Sequence, residues 1–336
     1  MRTCAFFAFL FIYFVGAREA AAQEVLPQID RPTRTALDRG LQYLHSKQEN
    51  DGSWDHSVET TAFVILATLS NGHGLHEGKY TREMQKAVRY LLACQNDDGL
   101  ISDAGNTRTG MVAHSYAALA LTQVQGMTPD ANTQKAIRKA VKRIESAQTV
   151  DGTWRADSLG RGNIISLTFR QIIVLRAAKD NGLFVSDDHI KAAARHVKNR
   201  WDVRAGRYRY ETSRWADGPQ MKYGSTAAEL GALLLGGEYE AKELTNAIPY
   251  LEQQSDRDYY FWQNLLFGSY LYHQVGGTTW EKYYNRVRTT LLENQHANGF
   301  WDWEKNDIAF ATRNHQTAIA LWVLSVPAEY LPIFQR

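Results

Sequence analysis

A short pattern recurs four times along the chain: KQENDGSW at 47–54, CQNDDGLI at 94–101, AQTVDGTW at 147–154 and NQHANGFW at 294–301. Each copy has a glutamine, a glycine four residues on and, in three of the four, a tryptophan two further. A self-similar unit at this spacing cannot bury its own apolar face alone and must stack on its neighbours, so the fold has to be a repeat architecture.

Aligning the copies on Gln48, Gln95, Gln148 and Gln295 exposes what precedes each turn. Leu37, Gly40, Leu41 and Leu44 stand 11, 8, 7 and 4 residues upstream in the first copy. Met84, Ala87, Val88 and Leu91 do so in the second, and Ile137, Ala140, Val141 and Ile144 in the third. These offsets are the single stripe of an amphipathic helix. Trp201 and Ser255, taken as origins, recover the same stripe in Ile190–Val197 and Leu244–Leu251, while the copy ending at Leu291 is broken by Arg288. Between the stripes lie segments that are apolar nearly all round, such as TTAFVILATL, SYAALALTQV and TAIALWVLSV. A one-striped helix is outer and an all-round apolar helix is buried. Six of each predict an all-α (α/α)6 toroid of six helix pairs, with an open superhelix as the alternative. Glycine at the turn supplies a positive φ, glutamine is expected to satisfy backbone groups at the helix ends, and tryptophan covers the joint.

The N-terminal stretch stands apart. Arg2, the apolar run 4–17 and Ala20–Ala22 read as a secretory signal peptide over 1–22, with 23–32 a linker and 33–336 one toroid domain. The expected location is secreted or periplasmic, with no stable membrane span once the signal is removed; retention as an anchor is the alternative. Without the segment the net charge is +1, which gives no electrostatic basis for binding nucleic acid. Cys94 is then the single cysteine, so no disulfide framework or zinc pattern exists, and no cofactor is expected.

The same residues carry a family resemblance. RGLQYLHSKQENDGSW (39–54) resembles the QW motif of squalene–hopene and oxidosqualene cyclases, with Lys86, Lys139 and Arg286 repeating its basic position. The resemblance covers essentially 33–326. It implies the α/α toroid shared by terpenoid cyclases, protein prenyltransferase β subunits and complement-type thioester domains, and implies little about activity. The chain lacks the D-x-D-D acid motif of class II cyclases, the Asp-x-Cys zinc pair of prenyltransferases and the C-G-E-Q of thioester domains. Asp97–Asp98 falls in a bracing turn and Asp187–Asp188 at a helix start.

In such toroids the starts of the inner helices face a central funnel. The candidates there are Glu59, His114, Tyr116, Arg170, Arg209, Tyr223, Trp262 and His315 for ligand binding. Their Arg, Tyr and His content suits an anionic or carbohydrate ligand. His114 and His315 can instead bond neighbouring backbone, 207–210 can form a solvated hairpin, and Asp55, Asp157 and Asp302 read as helix N-caps. The leading expectation is a toroid that binds a ligand or partner through its funnel with no complete known catalytic motif. The alternative is a polysaccharide-active enzyme such as a lyase. There His315 and Asn314 would abstract and neutralise, Tyr210 or Tyr223 would donate a proton, and Arg170 or Arg209 would pair with a uronate. A cyclase or transferase with an unfamiliar acid ranks third. Sequence leaves open whether any catalysis occurs.

Overall fold

The computed structural model describes residues 29–105, 110–156, 166–202, 204, 207–208, 219–252, 261–302 and 312–335. Twelve α-helices lie among them. The outer set is α1 (Arg31–His45), α3 (Thr81–Ala93), α5 (Ala131–Ala147), α7 (Asp187–Asn199), α9 (Lys242–Glu252) and α11 (Gly277–Glu293). The inner set is α2 (Val58–Leu69), α4 (Gly110–Met127), α6 (Leu167–Asp180), α8 (Pro219–Leu235), α10 (Phe261–Val275) and α12 (Arg313–Ser325). A two-stranded hairpin, β1 (Trp201–Asp202) with β2 (Arg207–Tyr208), follows α7. Two short 3-10 turns, Val326–Ala328 and Pro332–Phe334, follow α12.

Side-chain caps start α1 and α5. Asp30 and Asp130 accept the Thr33 and Thr133 amides at 3.0 and 2.7 Å, satisfying N–H groups that have no partner within the helix. The predicted stripe is then what each helix buries. It is complete in α1, α3, α5 and α7, whereas in α9 only Ala247 and Leu251 are buried. In α2 every residue except Glu59 is buried, as an inner-ring position demands.

The inner helices contact one another in the cyclic order α2, α4, α6, α8, α10, α12 and back to α2, and α1 meets both α11 and α12. The ring is closed: the fold is an α/α toroid and not an open superhelix. Arg288, which breaks the last stripe, closes it: its Nε donates to Thr33 Oγ1 at 2.8 Å and its Nη2 bonds the Asp30 carboxylate. At Gly40 the approach of α12 is so close that a Cβ would lie 2.7 Å from Leu321 Cδ2.

The recurring turn has one geometry in all four copies. Gln48 Nε2 donates to Gly52 O at 3.0 Å and to Glu83 O, on the next outer helix, at 2.8 Å. Gln95, Gln148 and Gln295 repeat the pair with Ala136, His189 and Ala36. The glutamine therefore bonds one backbone carbonyl in its own turn and one on the next outer helix, tying consecutive repeats together. The glycines hold φ near +90° (Gly52, +92°), which L side chains rarely adopt, and a Cβ there would also collide with that next helix, at Lys86 O for Gly52. Indole Nε1 of Trp54, Trp154 and Trp301 donates back to the carbonyl of Leu44, Ile144 and Leu291.

Candidate functional site

Because inner helices all run one way, their first turns gather at one mouth of the ring. Glu59, in the first turn of α2, and Phe63 four residues on share a helix face. The Phe63 ring lies 4.3 Å from that of Tyr116 (α4) and 4.8 Å from that of His315 (α12). Arg170, in the first turn of α6, is 3% exposed. Its Nε donates to the Tyr116 hydroxyl at 2.8 Å, and the guanidinium stands 5.3 Å from the ring centres of both Tyr116 and Phe267 (α10). Its Nη1 is buried with no hydrogen-bond partner.

The electrostatics of this cluster follow from burial. Burial raises the Glu59 carboxyl above its ordinary value, an effect that the nearby Arg170 charge opposes without cancelling. Burial likewise raises the Tyr116 hydroxyl. His315 is pushed down to about 4 by burial and by Arg170, with Asp55 pulling the other way. At neutral pH the imidazole is uncharged, so Arg170 is the fixed cation of the cluster.

Asp55 is a residue the sequence reading placed differently. Ser57, not Asp55, caps α2, its side chain accepting the Thr60 amide. Asp55 instead reaches across the ring closure, accepting from Thr312 Oγ1 at 2.6 Å and from Asn314 Nδ2 at 2.8 Å. It does so at φ +58°, next to His56 at +49°. Ser166, just before α6, is at +75°. Three of the four positive-φ non-glycine residues described thus sit at the turns entering inner helices, each at a cost of order 1–3 kcal/mol. No sequence pattern announces such positions; Phe63, spaced four residues from Glu59, was legible.

Below the mouth lies a nearly filled apolar crevice of about 20 Å³, room for about one water molecule. Leu119, Phe169, Ile173, Tyr270, Trp322 and Phe334 line it, with Arg170 at its head. The polar side chains gather at the mouth, while the inward stripes below them carry aliphatic and aromatic residues.

The structure brings Glu59, Tyr116, Arg170 and His315 together. His114 is separate: Ile101 N–H donates to its Nδ1 at 3.0 Å and its Nε2 faces Ala140 O of outer helix α5 at 3.3 Å. Thr61 and Thr317 accept the equivalent amides of Trp54 and Trp301, so His114 is the second repeat's version of that brace, and its placement among ligand-binding residues is corrected. Burial pushes it down to about 4. Trp262 Nε1 donates to Gln316 Oε1 at 2.8 Å, tying α10 to α12. A Cβ on Gly268 would lie 3.0 Å from Tyr223 Oη and 2.5 Å from Tyr283 Oη, so the Tyr223 hydroxyl sits against α10 close to the Tyr283 hydroxyl of α11. Arg209, Tyr210 and Asp157 lie outside the described residues. Asp302 bonds Arg313, and Thr312 caps α12. Both Asp97–Asp98 and Asp187–Asp188 are exposed. Among the described residues no group of three or more His, Cys, Asp or Glu could hold a metal ion. No described helix is long and apolar enough to cross a membrane.

No family model matches the chain. It is similar to drimenyl diphosphate synthases from Streptomyces showdoensis, 27% identical over 146 residues, and from Streptantibioticus cattleyicolor, 28% identical over 131. These matches cover 42% and 37% of this chain; the chain spans about a quarter of the relatives' length, 26% and 24%. Solved structures of similar shape include an α-amylase from Clostridium perfringens (TM-score 0.63, 11% identity) that matches over 88% of this chain and 99% of its own. An α-1,6-mannanase from Salegentibacter with bound mannotetrose (0.62, 9%) covers the same shares. A type II terpene cyclase from Scytonema with bound geranylgeranyl dihydroxybenzoate (0.59, 12%) covers 89% and 98%. At these identities the likeness shows the fold alone.

Proposed function

We propose that this toroid binds, through the inner-helix mouth, a ligand with one anionic group and an apolar body. The observation that carries the reading is Arg170: a guanidinium 3% exposed, with one nitrogen unpartnered, at the head of an apolar crevice. A buried cation with an unmet donor is costly, and a ligand oxygen there satisfies it. The side chains below are apolar and nearly close-packed, so a hydrocarbon body has to part them to enter, and they offer few partners for sugar hydroxyls. The Scytonema cyclase, whose bound substrate joins a geranylgeranyl chain to a dihydroxybenzoate, supports that division of labour by analogy of fold. The lyase reading has less behind it: Asn314 is engaged by Asp55, and the Tyr223 hydroxyl sits against Gly268 of α10.

Calorimetric titration tests the proposal. Geranylgeranyl diphosphate and long-chain carboxylates should bind, acidic oligosaccharides and squalene much more weakly. Arg170→Gln should weaken the productive ligands by roughly 10- to 100-fold, the range for a charged hydrogen bond. Glycan binding that ignores Arg170 would overturn the reading.

Glu59 favours a second reading, a cyclase whose acid is not in a D-x-D-D motif. Burial raises its carboxyl above the ordinary value, near Tyr116 and Arg170, the direction an alkene-protonating acid requires. Cyclised product from geranylgeranyl diphosphate, lost in Glu59→Gln, would establish it. The reading of 1–22 as a cleaved export signal is part of the same proposal, and N-terminal sequencing of the protein recovered outside the cytoplasm tests it.

A further inference from the structure

Three of the four recurring turns carry an acid three residues after the glutamine: Asp51, Asp98 and Asp151. Asp98 faces Arg143 of the next outer helix at 3.5 Å, and Asp151 faces His196 of its next outer helix at 3.6 Å. At the seam between the last and first repeats the same position is Asn298, and the next outer helix is α1. The negative charge that a turn elsewhere brings to its neighbour is missing there.

The α1 side of that seam is cationic. Arg31, Thr35, Arg39, Gln42 and Ser46, three or four residues apart, form one exposed stripe. Two clefts of about 400 and 520 Å³ lie along it, and Arg39 lines both. The first includes Arg31 and Leu292, the second Lys47 and Arg313, and no acid lines either. Arg313 bonds Asp302, but among the described residues no carboxylate pairs with Arg31, Arg39 or Lys47. Arg39 is fixed where the clefts meet, its Nη2 donating to His296 O and Ala297 O, both at 2.8 Å.

We infer that this groove docks an extended acidic peptide of a partner protein, on the outer surface and independently of any ligand at the mouth. Charge sets the sign: a groove lined by cations alone attracts carboxylates and rejects basic chains. Length sets the shape. From Arg31 to Ser46 the helix rises about 22 Å at 1.5 Å per residue, the span of roughly six or seven residues of extended chain. The rings exclude a sugar chain, which needs an open aromatic face to stack on. His296 stacks on Phe300 with ring centres 4.3 Å apart, and the Arg313 guanidinium stands 4.4 Å from the Phe300 centre. The Lys47 ammonium lies over Tyr43 at 5.7 Å. What the groove offers is guanidinium and ammonium donors, which suit side-chain carboxylates.

The test is fluorescence anisotropy of labelled hexaglutamate titrated with the full chain at low ionic strength, where surface charges are least screened. Hexaglutamate should bind, and hexaglutamine should bind roughly tenfold more weakly or less. Arg31→Glu and Lys47→Glu alter exposed side chains and should each weaken hexaglutamate by roughly tenfold. Lys191→Glu makes the same charge change on exposed α7 surface, three repeats away, and should shift affinity less than about twofold. Equal weakening by Lys191→Glu would mean that net charge alone is being read, and would overturn the groove. Binding indifferent to Arg31→Glu and Lys47→Glu, or no hexaglutamate binding at all, would overturn it too. An oligogalacturonate of the same charge that binds as tightly, and is weakened by the same two variants, would overturn the peptide and make the groove a glycan site.

Discussion

Gln295 donates one amide hydrogen to Gly299 O and the other to Ala36 O, at 2.9 and 2.8 Å, joining the last outer turn to the first outer helix across 259 positions. One acceptor lies in its own turn and the other on the first repeat, so the side chain closes the turn and holds the interface at once. Gln295→Ala should lower unfolding stability by about 1–3 kcal/mol, the cost of two neutral hydrogen bonds. Gln295→Glu should cost more, because a carboxylate has no hydrogen to offer either carbonyl. Chemical denaturation reads both; a glutamate variant as stable as the wild type would contradict the geometry.

Trp54 is fully buried and its indole nitrogen is 2.7 Å from Leu44 O. Trp54→Ala should cost about 3–5 kcal/mol through the cavity it leaves. Trp54→Phe, which keeps most of the apolar area, should cost much less. Near-equal losses would mean that the hydrogen bond, and not the packing, carries the joint.

Gly152 holds φ +88°, and a Cβ there would lie 2.4 Å from the Ala192 carbonyl oxygen. Gly182 has a similar φ of +75° but open space where a Cβ would go. Both alanine variants pay the left-handed conformation, on the order of 1–2 kcal/mol. Only Gly152→Ala adds a steric clash with backbone that cannot step aside. The prediction is a larger drop in thermal midpoint for Gly152→Ala than for Gly182→Ala.

The pH dependence of stability should have two arms. Burial pushes His45 down to about 3 and His114 and His315 down to about 4, from an ordinary 6.5. The folded state then binds fewer protons than the unfolded one between those values, so stability present above pH 6.5 is lost as pH falls towards 4. Glu229 runs the other way: burial pushes it up to about 7 from 4.5, so folding is increasingly disfavoured as pH rises from 4.5 through 7, by roughly 3 kcal/mol in total. Glu229→Gln should flatten the upper arm in urea titrations between pH 5 and 8. His114→Gln should flatten part of the lower arm.

What was legible from sequence was what repeats. The stripes of α1, α3, α5 and α7 follow from helical periodicity, and the six-fold ring follows from alternating those stripes with wholly apolar segments. The weak last stripe was also informative, since Arg288 is polar because it has a specific partner at the closure. The site was harder to read. Arg170 and Glu59 could be placed at inner-helix starts, but their pairing with Tyr116 and the aromatic floor depends on which faces of four different helices converge. His114 looked like a ligand-binding residue because its role, taken by threonine in the first and last repeats, is invisible until the turns are superposed in space. Asp55 and Phe334 had no signal, one because a left-handed aspartate leaves no pattern, the other because it follows the last repeat.

A linear stack of repeats has two end units with one neighbour each, and such arrays fray from their ends. Here Arg288, Gln295 and Gly40 give the first helix pair a neighbour on both sides, so no unit has a single interface. In the language of a one-dimensional lattice with nearest-neighbour coupling, the closure imposes periodic boundary conditions. Opening any one junction turns the ring into a stack and creates two frayed ends at once, so the first break is the most costly and those after it come more easily. Unfolding of the intact ring should therefore be steep, and a variant severed at the α1–α11 seam should melt gradually from both of its new ends.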